Sequence, residues 1–252
     1  MKRGTIRMRT AQVHLLPGLV TPEELAGTTV VVVDILRATT TIVYALAAGA
    51  TKVVPLLEVE QAFALQTTFG QEAVLGGERG GRKITGFHLG NSPAEYTPQS
   101  VGGKTVVFTT TNGTRAIQMC RLASRVLLGS FANFSACCRE LSSLERVDIL
   151  CAGTDGQITR EDVLFAGAVI DDLQRTATIT TNDQADIAAD AWRAAALDFA
   201  GPKPLAEYLR ASTGGRNLIE IGHDRDIAIA AEIDQFDFIA EFDLAKAEIY
   251  RR

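Results

Sequence analysis

Four consecutive valines, Val30 to Val33, run directly into the polar cluster Asp34, Arg37, Thr39, Thr40 and Thr41, and then into an apolar, alanine-rich stretch ending at Gly49. A β-branched run that is apolar at every residue fits a strand covered on both faces, because a half-exposed strand alternates. The pattern predicts strand, sharp turn and helix. It puts a carboxylate at the strand end and a guanidinium and three hydroxyls at the helix start. Unpaired N–H groups and the positive end of the helix dipole make such a place suitable for an oxyanion such as phosphate. Capping of the helix by Asp34 and the threonines explains the same residues equally well.

The rhythm recurs along the chain. Strands are predicted at 5–13, 30–33, 52–57, 73–77, 104–109, 125–130, 147–152, 217–221 and around 236–242. Helical patterns lie between them: a short piece after Pro22, then 58–69 closing at Gly70, a start at Ser92-Pro93, and a helix after Thr109 to Arg115. Further ones cover 132–142, a stretch capped by Thr159 and Asp162, 182–199 and 203–212 on either side of Gly201-Pro202, and a start near Asp226. Alternation of this kind predicts an α/β fold of three α/β/α layers around a largely parallel, mixed central sheet. Two similar lobes are compatible with it. No low-complexity linker divides the 252 residues, so they are expected to form one compact domain, 1–252.

Bulk properties narrow the partners. Hydrophobic residues make up 46% and charged residues 22%, enough apolar surface for a substantial core. The formal net charge of −5 argues against a nucleic-acid binder, which normally carries a basic face. No apolar run reaches the roughly 18–20 residues that cross a bilayer, and the N-terminal stretch lacks a signal-like apolar core. A cytoplasmic protein is expected, with a homodimer as the commonest default. Cys120, Cys137, Cys138 and Cys151 have no C-x-x-C spacing and sit among apolar residues, so they read as buried, reduced thiols.

Four clusters are polar beyond what turns require. The first is Asp34 to Thr41. The second, Glu78-Arg79-Gly80-Gly81-Arg82-Lys83, places four charges among glycines at a strand end. Asn91 and Ser92 form the third, explicable as a helix cap. The fourth is Thr109-Thr110-Thr111-Asn112-Gly113-Thr114-Arg115, where the following helical period rules out an Asn-Gly hairpin. It repeats the strand, threonine-rich turn, arginine and helix of the first cluster. Two such turns at the ends of parallel strands would share the sheet edge where ligands bind in open α/β folds. Asp155, Glu161 and Asp162 make a weaker fifth group.

Several machines are excluded. There is no G-x-G-x-x-G. The Gly76–Gly81 spacing of a P-loop fails because Arg82 stands at the lysine position. G-x-S-x-G is absent. Leu36 stands where an aspartyl-phosphate phosphatase carries its second Asp, and no cysteine has an arginine six positions later, as a cysteine-phosphatase loop requires. His14, His88 and His223 are scattered, so no histidine metal site is expected. The remaining carboxylates, amides, hydroxyls and arginines suit Mg²⁺, which takes one or two protein carboxylates and completes its shell with water and phosphate. Together they could support metal-assisted hydrolysis of a phosphate monoester.

The segments VVVDILRATTTI, GGERGGRKITGFHLGNSPAEY, TTTNGTRAI, CAGTDG with EDVLFAGAVI, and DIAIAAEIDQFD together resemble the 2-phosphosulfolactate phosphatases. The resemblance runs from about residue 28 to 240. It implies that family's α/β/α fold and an Mg²⁺-dependent acid phosphatase. The implied reaction is hydrolysis of (2R)-O-phospho-3-sulfolactate to 3-sulfolactate and phosphate, toward coenzyme M. His88 stands where the family often has an acidic residue, and ITRED at 158–162 departs from the usual apolar-Ser-x-Glu-Asp pattern. The expected roles are Asp34 and Glu78 as catalytic and metal-side carboxylates, Asn112 as a catalytic amide and Asp162 as a further acid. Arg37, Thr39, Thr40, Arg79, Arg82, Lys83, Asn91, Thr111, Gly113, Thr114 and Arg115 are the expected substrate-binding residues. A non-catalytic binder of an anionic metabolite, or a relative acting on another phosphorylated hydroxy acid, would draw on the same residues.

Overall fold

The computed structural model describes residues 9–199 and 204–252. The predicted strand residues 5–8 and the Gly201-Pro202 break lie outside that range. Strands β1 (Arg9–His14), β2 (Thr29–Val33), β3 (Lys52–Pro55), β4 (Ala73–Arg79), β5 (Arg82–Lys83) and β6 (Thr105–Thr109) come first. They are followed by β7 (Arg125–Gly129), β8 (Arg146–Cys151), β9 (Ile179–Thr181), β10 (Ala240–Asp243) and β11 (Glu248–Arg251). Helices α1 (Ala38–Ala47), α2 (Val59–Phe69), α3 (Pro98–Val101), α4 (Gly113–Met119) and α5 (Phe134–Leu141) lie in the first part. The rest are α6 (Arg160–Thr176), α7 (Asp183–Phe199), α8 (Leu205–Arg210), α9 (Thr213–Glu220) and α10 (Asp224–Ala230).

One mixed sheet of 11 strands, in the order β5-β4-β6-β3-β11-β10-β7-β2-β8-β1-β9, carries helices on both faces. The valine strand shows why. All four valines are fully buried, with Val31 and Val33 packed into one core with α5, α6 and α7, and Val30 and Val32 into another with α1 and α4. At roughly 1.5–3 kcal/mol for each fully buried side chain of this size, such a strand has no stable place except inside the three layers. β6 divides a core in the same way: Val106 joins the α1 side, and Val107 packs with Ala62 of α2.

The sheet contains two parallel blocks, β7-β2-β8-β1-β9 and β4-β6-β3. The hairpin β10-β11 joins them through three successive antiparallel ladders, which reverse the strand direction between the blocks. The turns after β2 and β6 therefore do not share one edge of a parallel sheet, as the sequence pattern predicted. They meet all the same. A Cβ on Gly113, at the start of α4, would lie 2.8 Å from Asp34 Oδ2 and 2.6 Å from Ala38 Cβ. A twist of roughly 20–25° per strand step, summed over the five steps from β2 to β6, swings the reversed block about 100–125° back toward the first.

Several local expectations are corrected. Ser92-Pro93 opens only a 3-10 turn at Pro93–Glu95. Residues 217–221 are not a strand but the end of α9, whose start is fixed upstream by Ser212 accepting from the Gly215 N–H at 2.9 Å. Of the strand predicted around 236–242, only 240–242 forms strand, as the start of β10, which turns back into β11. The piece after Pro22 is a run of turns. The charged glycine loop is a tight hairpin: β4 continues to Arg79, and Gly80 and Gly81, at φ 57° and 75°, make the two-residue connection to β5. All four cysteines are free and buried, and burial pushes the Cys120 and Cys137 thiols up to about 12.

Candidate active site

An open cleft of about 260 Å³ lies where the two turns meet, with α9 as its far wall. Asp34, Arg37, Glu78, Asn91, Thr111 and Asn112 line it, joined by Thr154, Asp155, Asn217 and Glu220. The four sequence clusters thus converge on one place, although they lie on opposed parts of the sheet.

Asp34 ends the valine strand and is 8% exposed. Its Oδ1 accepts from the Ala38 N–H at 3.1 Å, so the carboxylate does cap α1. Oδ2 makes no hydrogen bond among the described residues and faces the cleft. Thr39 fixes the turn by accepting from the Asp34 N–H at 3.1 Å while its hydroxyl donates to the Gly129 carbonyl at 2.7 Å. Burial pushes Asp34 up to about 7, the Glu78 and Glu161 charges add to this, and the Ala38 N–H and Arg37 oppose it. At neutral pH this carboxyl can therefore both hold and take up a proton.

Glu78 ties two segments together. Oε2 accepts from the Gly81 N–H at 2.7 Å, and Oε1 accepts from the Thr111 N–H at 2.8 Å. Successive strand residues point to opposite faces, and the neighbouring Arg79 is accordingly directed away, to the Glu78 and Leu57 carbonyls and Thr109 Oγ1. Arg82 and Lys83 are exposed on β5 and do not line the cleft. Lys83 reaches the His88 carbonyl at 3.5 Å. Arg115 is exposed on α4, also outside the cleft.

Thr40 and Thr114 are buried and bonded internally, to the Ile35 carbonyl and to Thr110. Gly113 contributes the absence of a side chain beside Asp34. Asp162 sits behind the wall, where Oδ1 accepts from Ile35 N at 2.9 Å and Oδ2 from Gly153 N at 3.0 Å. It braces the two strand ends, and Thr159 makes no side-chain cap. Burial raises Asp162, with Asp34 and Glu161 adding to it. His88 accepts from the Leu75 N–H at 3.0 Å at the sheet margin. His14 pairs with buried Asp148 at 2.9 Å.

Two features were missed from sequence, and a third, Glu161 of the weaker fifth group, was not linked to Asp34. Asp226 pairs with Arg37 at 2.6 Å in a buried ion pair. Glu161 is buried near Asp34, with its carboxyl raised by burial. The α9 wall was misread as a strand. Only the capping pattern at Ser212 could have signalled the last. Nothing in the local pattern marks Asp226 as the partner of Arg37 or Glu161 as a neighbour of Asp34.

The electrostatics are lopsided. Arg37 is the one basic side chain lining the cleft among the described residues, against Asp34, Glu78, Asp155 and Glu220. Asn91 Oδ1, Thr111 Oγ1 and Glu161 Oε2 are buried without a hydrogen-bond partner among the described residues. Uncompensated carboxylates beside unpartnered hard oxygens suit a divalent cation. No group of three or more His, Cys, Asp or Glu is arranged to hold a metal among the described residues. Mg²⁺ does not require one, since it keeps several waters and binds through one or two carboxylates.

The cleft lies outside the carboxyl ends of β2, β4 and β6, the place where α/β proteins bind small ligands. The sequence profile of the 2-phosphosulpholactate phosphatase family matches residues 14–244. The chain is 42% identical over 223 residues to the probable 2-phosphosulfolactate phosphatase of Symbiobacterium thermophilum, covering 87% of this chain and 93% of that protein. It is 38% identical over 212 residues to the protein of that name in Caldanaerobacter subterraneus subsp. tengcongensis, covering 83% and 86%. The protein of that name in Thermotoga maritima is 39% identical over 209 residues, covering 82% and 86%. The chain belongs to the 2-phosphosulfolactate phosphatase family. No helix among the described residues is long and apolar enough to cross a membrane.

Proposed function

We propose that the chain hydrolyses the phosphate monoester of a small, multiply anionic hydroxy acid, with (2R)-O-phospho-3-sulfolactate as substrate, in the supply of coenzyme M. The observation that carries this reading is Asp34: a buried carboxyl with one oxygen free to the cleft, set among other carboxylates and one guanidinium. Asp34 and Glu78 would hold Mg²⁺, with Thr111 Oγ1 and Asn91 Oδ1 as nearby hard oxygens. When bound, the ion supplies polarisation of the phosphoryl oxygens and screening between an anionic substrate and an acidic wall.

The rest of the chemistry belongs to side chains. Arg37 binds the non-bridging phosphoryl oxygens, whose charge must be held during transfer. Asp34 Oδ2, when ionised, takes a proton from the attacking water as the new P–O bond forms. As the ester P–O bond breaks, the leaving alkoxide takes that proton from Asp34, giving the hydroxy acid and inorganic phosphate and restoring the carboxylate. Glu78 keeps the Thr111 turn and the Gly80-Gly81 hairpin at fixed separation, and Asn91 and Asn112 offer amides to the acid end of the substrate.

A non-catalytic anion binder is the other reading. It would profit from arginines in the cleft, yet Arg79, Arg82 and Arg115 stand outside it, and carboxylates take the inner positions. That arrangement supports catalysis. Phosphate release from a panel of phosphorylated hydroxy acids, with Mg²⁺ and with EDTA, tests the proposal. Release from phosphosulfolactate that EDTA abolishes is expected. Release from another member alone would reassign the substrate, and no release from any of them would favour the binder.

A further inference from the structure

We infer that Asp226, on α10, is a positioning residue for the reaction: it orients the Arg37 guanidinium and, through Ser92, the Asn91 segment. This rests on the proposed phosphatase reading. Arg37 and Asp226 lie 189 residues apart, yet Nη1 donates to Asp226 Oδ2 at 2.6 Å, with both side chains almost wholly buried. Ser92 Oγ donates to the other carboxylate oxygen, Oδ1, at 2.6 Å. His223 Nδ1 lies 3.3 Å from Oδ2 at the half-exposed side of the pair. The second terminal nitrogen of Arg37 donates to the Gly81 carbonyl at 2.8 Å.

One carboxylate thus fixes two segments that line the cleft, the turn after β2 and the stretch containing Asn91. Asn91 is itself anchored by the Thr41 hydroxyl, which donates to its carbonyl at 2.9 Å. Arg37 retains N–H groups beyond those two bonds, and it lines the cleft. Anchored at both terminal nitrogens, its guanidinium plane has one orientation in which to meet a phosphate.

Stability alone does not account for the pair. Taking two charges out of water costs about as much as their attraction returns, and apolar residues of equal volume often do as well. Ile227 and Ala230 already dock α10 into the core. A buried pair in the wall of a cleft is better explained by what it orients. A misplacement on the order of 1 Å can cost a reaction of this kind about a hundredfold.

The experiment measures phosphate release from phosphosulfolactate with Mg²⁺ for wild type, D226A, D226N, R37A and R37A/D226A, with and without added guanidinium chloride. Wild-type turnover is the gate: its absence sinks the phosphatase reading, whereas the inference about Asp226 is judged on the variants of an active enzyme. D226A is expected to lose roughly a hundredfold in kcat/KM, and D226N less, because the amide oxygen still accepts from Arg37. Millimolar guanidinium should restore part of the R37A activity by docking against Asp226, and should restore none in R37A/D226A. A merely structural Asp226 would leave that rescue unchanged. Equal rescue of both variants, no rescue of R37A, or a D226A enzyme with wild-type kcat/KM would each overturn the inference. Should D226A not fold, D226N and the rescue of R37A decide.

Discussion

The turn after β2 and the turn after β6 look alike as sequence: an apolar strand, a threonine-rich break, one arginine and a helix. In the folded chain they do different work. The first presents a free carboxylate oxygen and a guanidinium to the cleft. The second presents Thr111 and Asn112, and its arginine lies outside. Position relative to the helix explains the contrast. Arg37 immediately precedes α1, at the residue where the chain turns, and Asp226 and Gly81 take hold of it. Arg115 is the third residue of α4, one of the positions that a short helix turns toward solvent. Two matching motifs have become one half that offers a carboxylate and a guanidinium and another that offers a hydroxyl and an amide.

Replacing the acid of the first turn should have the largest effect. D34N is expected to lower kcat by about 10²–10⁴, the range for removing a proton-transfer group. Its melting temperature in metal-free buffer at neutral pH should rise, because a carboxylate that burial disfavours is gone. Steady-state rates and a thermal melt on one preparation check both halves.

Pressing the two turns apart should come second. In G113A the new methyl meets Ala38 Cβ at 2.6 Å and Asp34 Oδ2 at 2.8 Å. The strain should cost about 1–3 kcal/mol of stability. The displacement of the reacting groups should cost roughly ten- to a hundredfold in kcat/KM. Denaturant unfolding and rate measurements separate these losses. Removing the outer arginine should matter least. R115A is expected to stay within about threefold of wild type, as a rim charge mainly changes salt dependence, and a large loss would restore Arg115 to the substrate site.

The layered fold was legible because buried strands advertise themselves: Val30 to Val33 and Val106-Val107 are apolar on both faces and can go nowhere else. The locations of the polar turns were legible for the same reason. Each follows a strand that patterning identifies. Side-chain direction was not. Glu78 and Arg79 are adjacent, and only the pleat of a strand that runs two residues further than expected sends one into the cleft and the other away. Nor could a local pattern pair Arg37 with Asp226, or reveal that the hairpin β10-β11 reverses the second block. Such facts are set by tertiary register, which strand propensity does not encode.

If the buried Asp34 cluster binds a divalent cation, as proposed above, a melting experiment shows it without reference to substrate. Asp34 holds its proton to about 7 when folded, against an ordinary value of 3.8. The folded chain therefore binds more protons than the unfolded one between those limits. Metal-free stability should fall as pH rises through that window, by up to about 1.4 kcal/mol per unit. A cation on the carboxylate removes the penalty, so the Mg²⁺-induced rise in Tm should be small near about pH 5.5 and large near about pH 8. It should be lost in D34N. A Tm that ignores Mg²⁺ at both pH values, or a rise of equal size in D34N, would rule out Asp34 as a cation ligand.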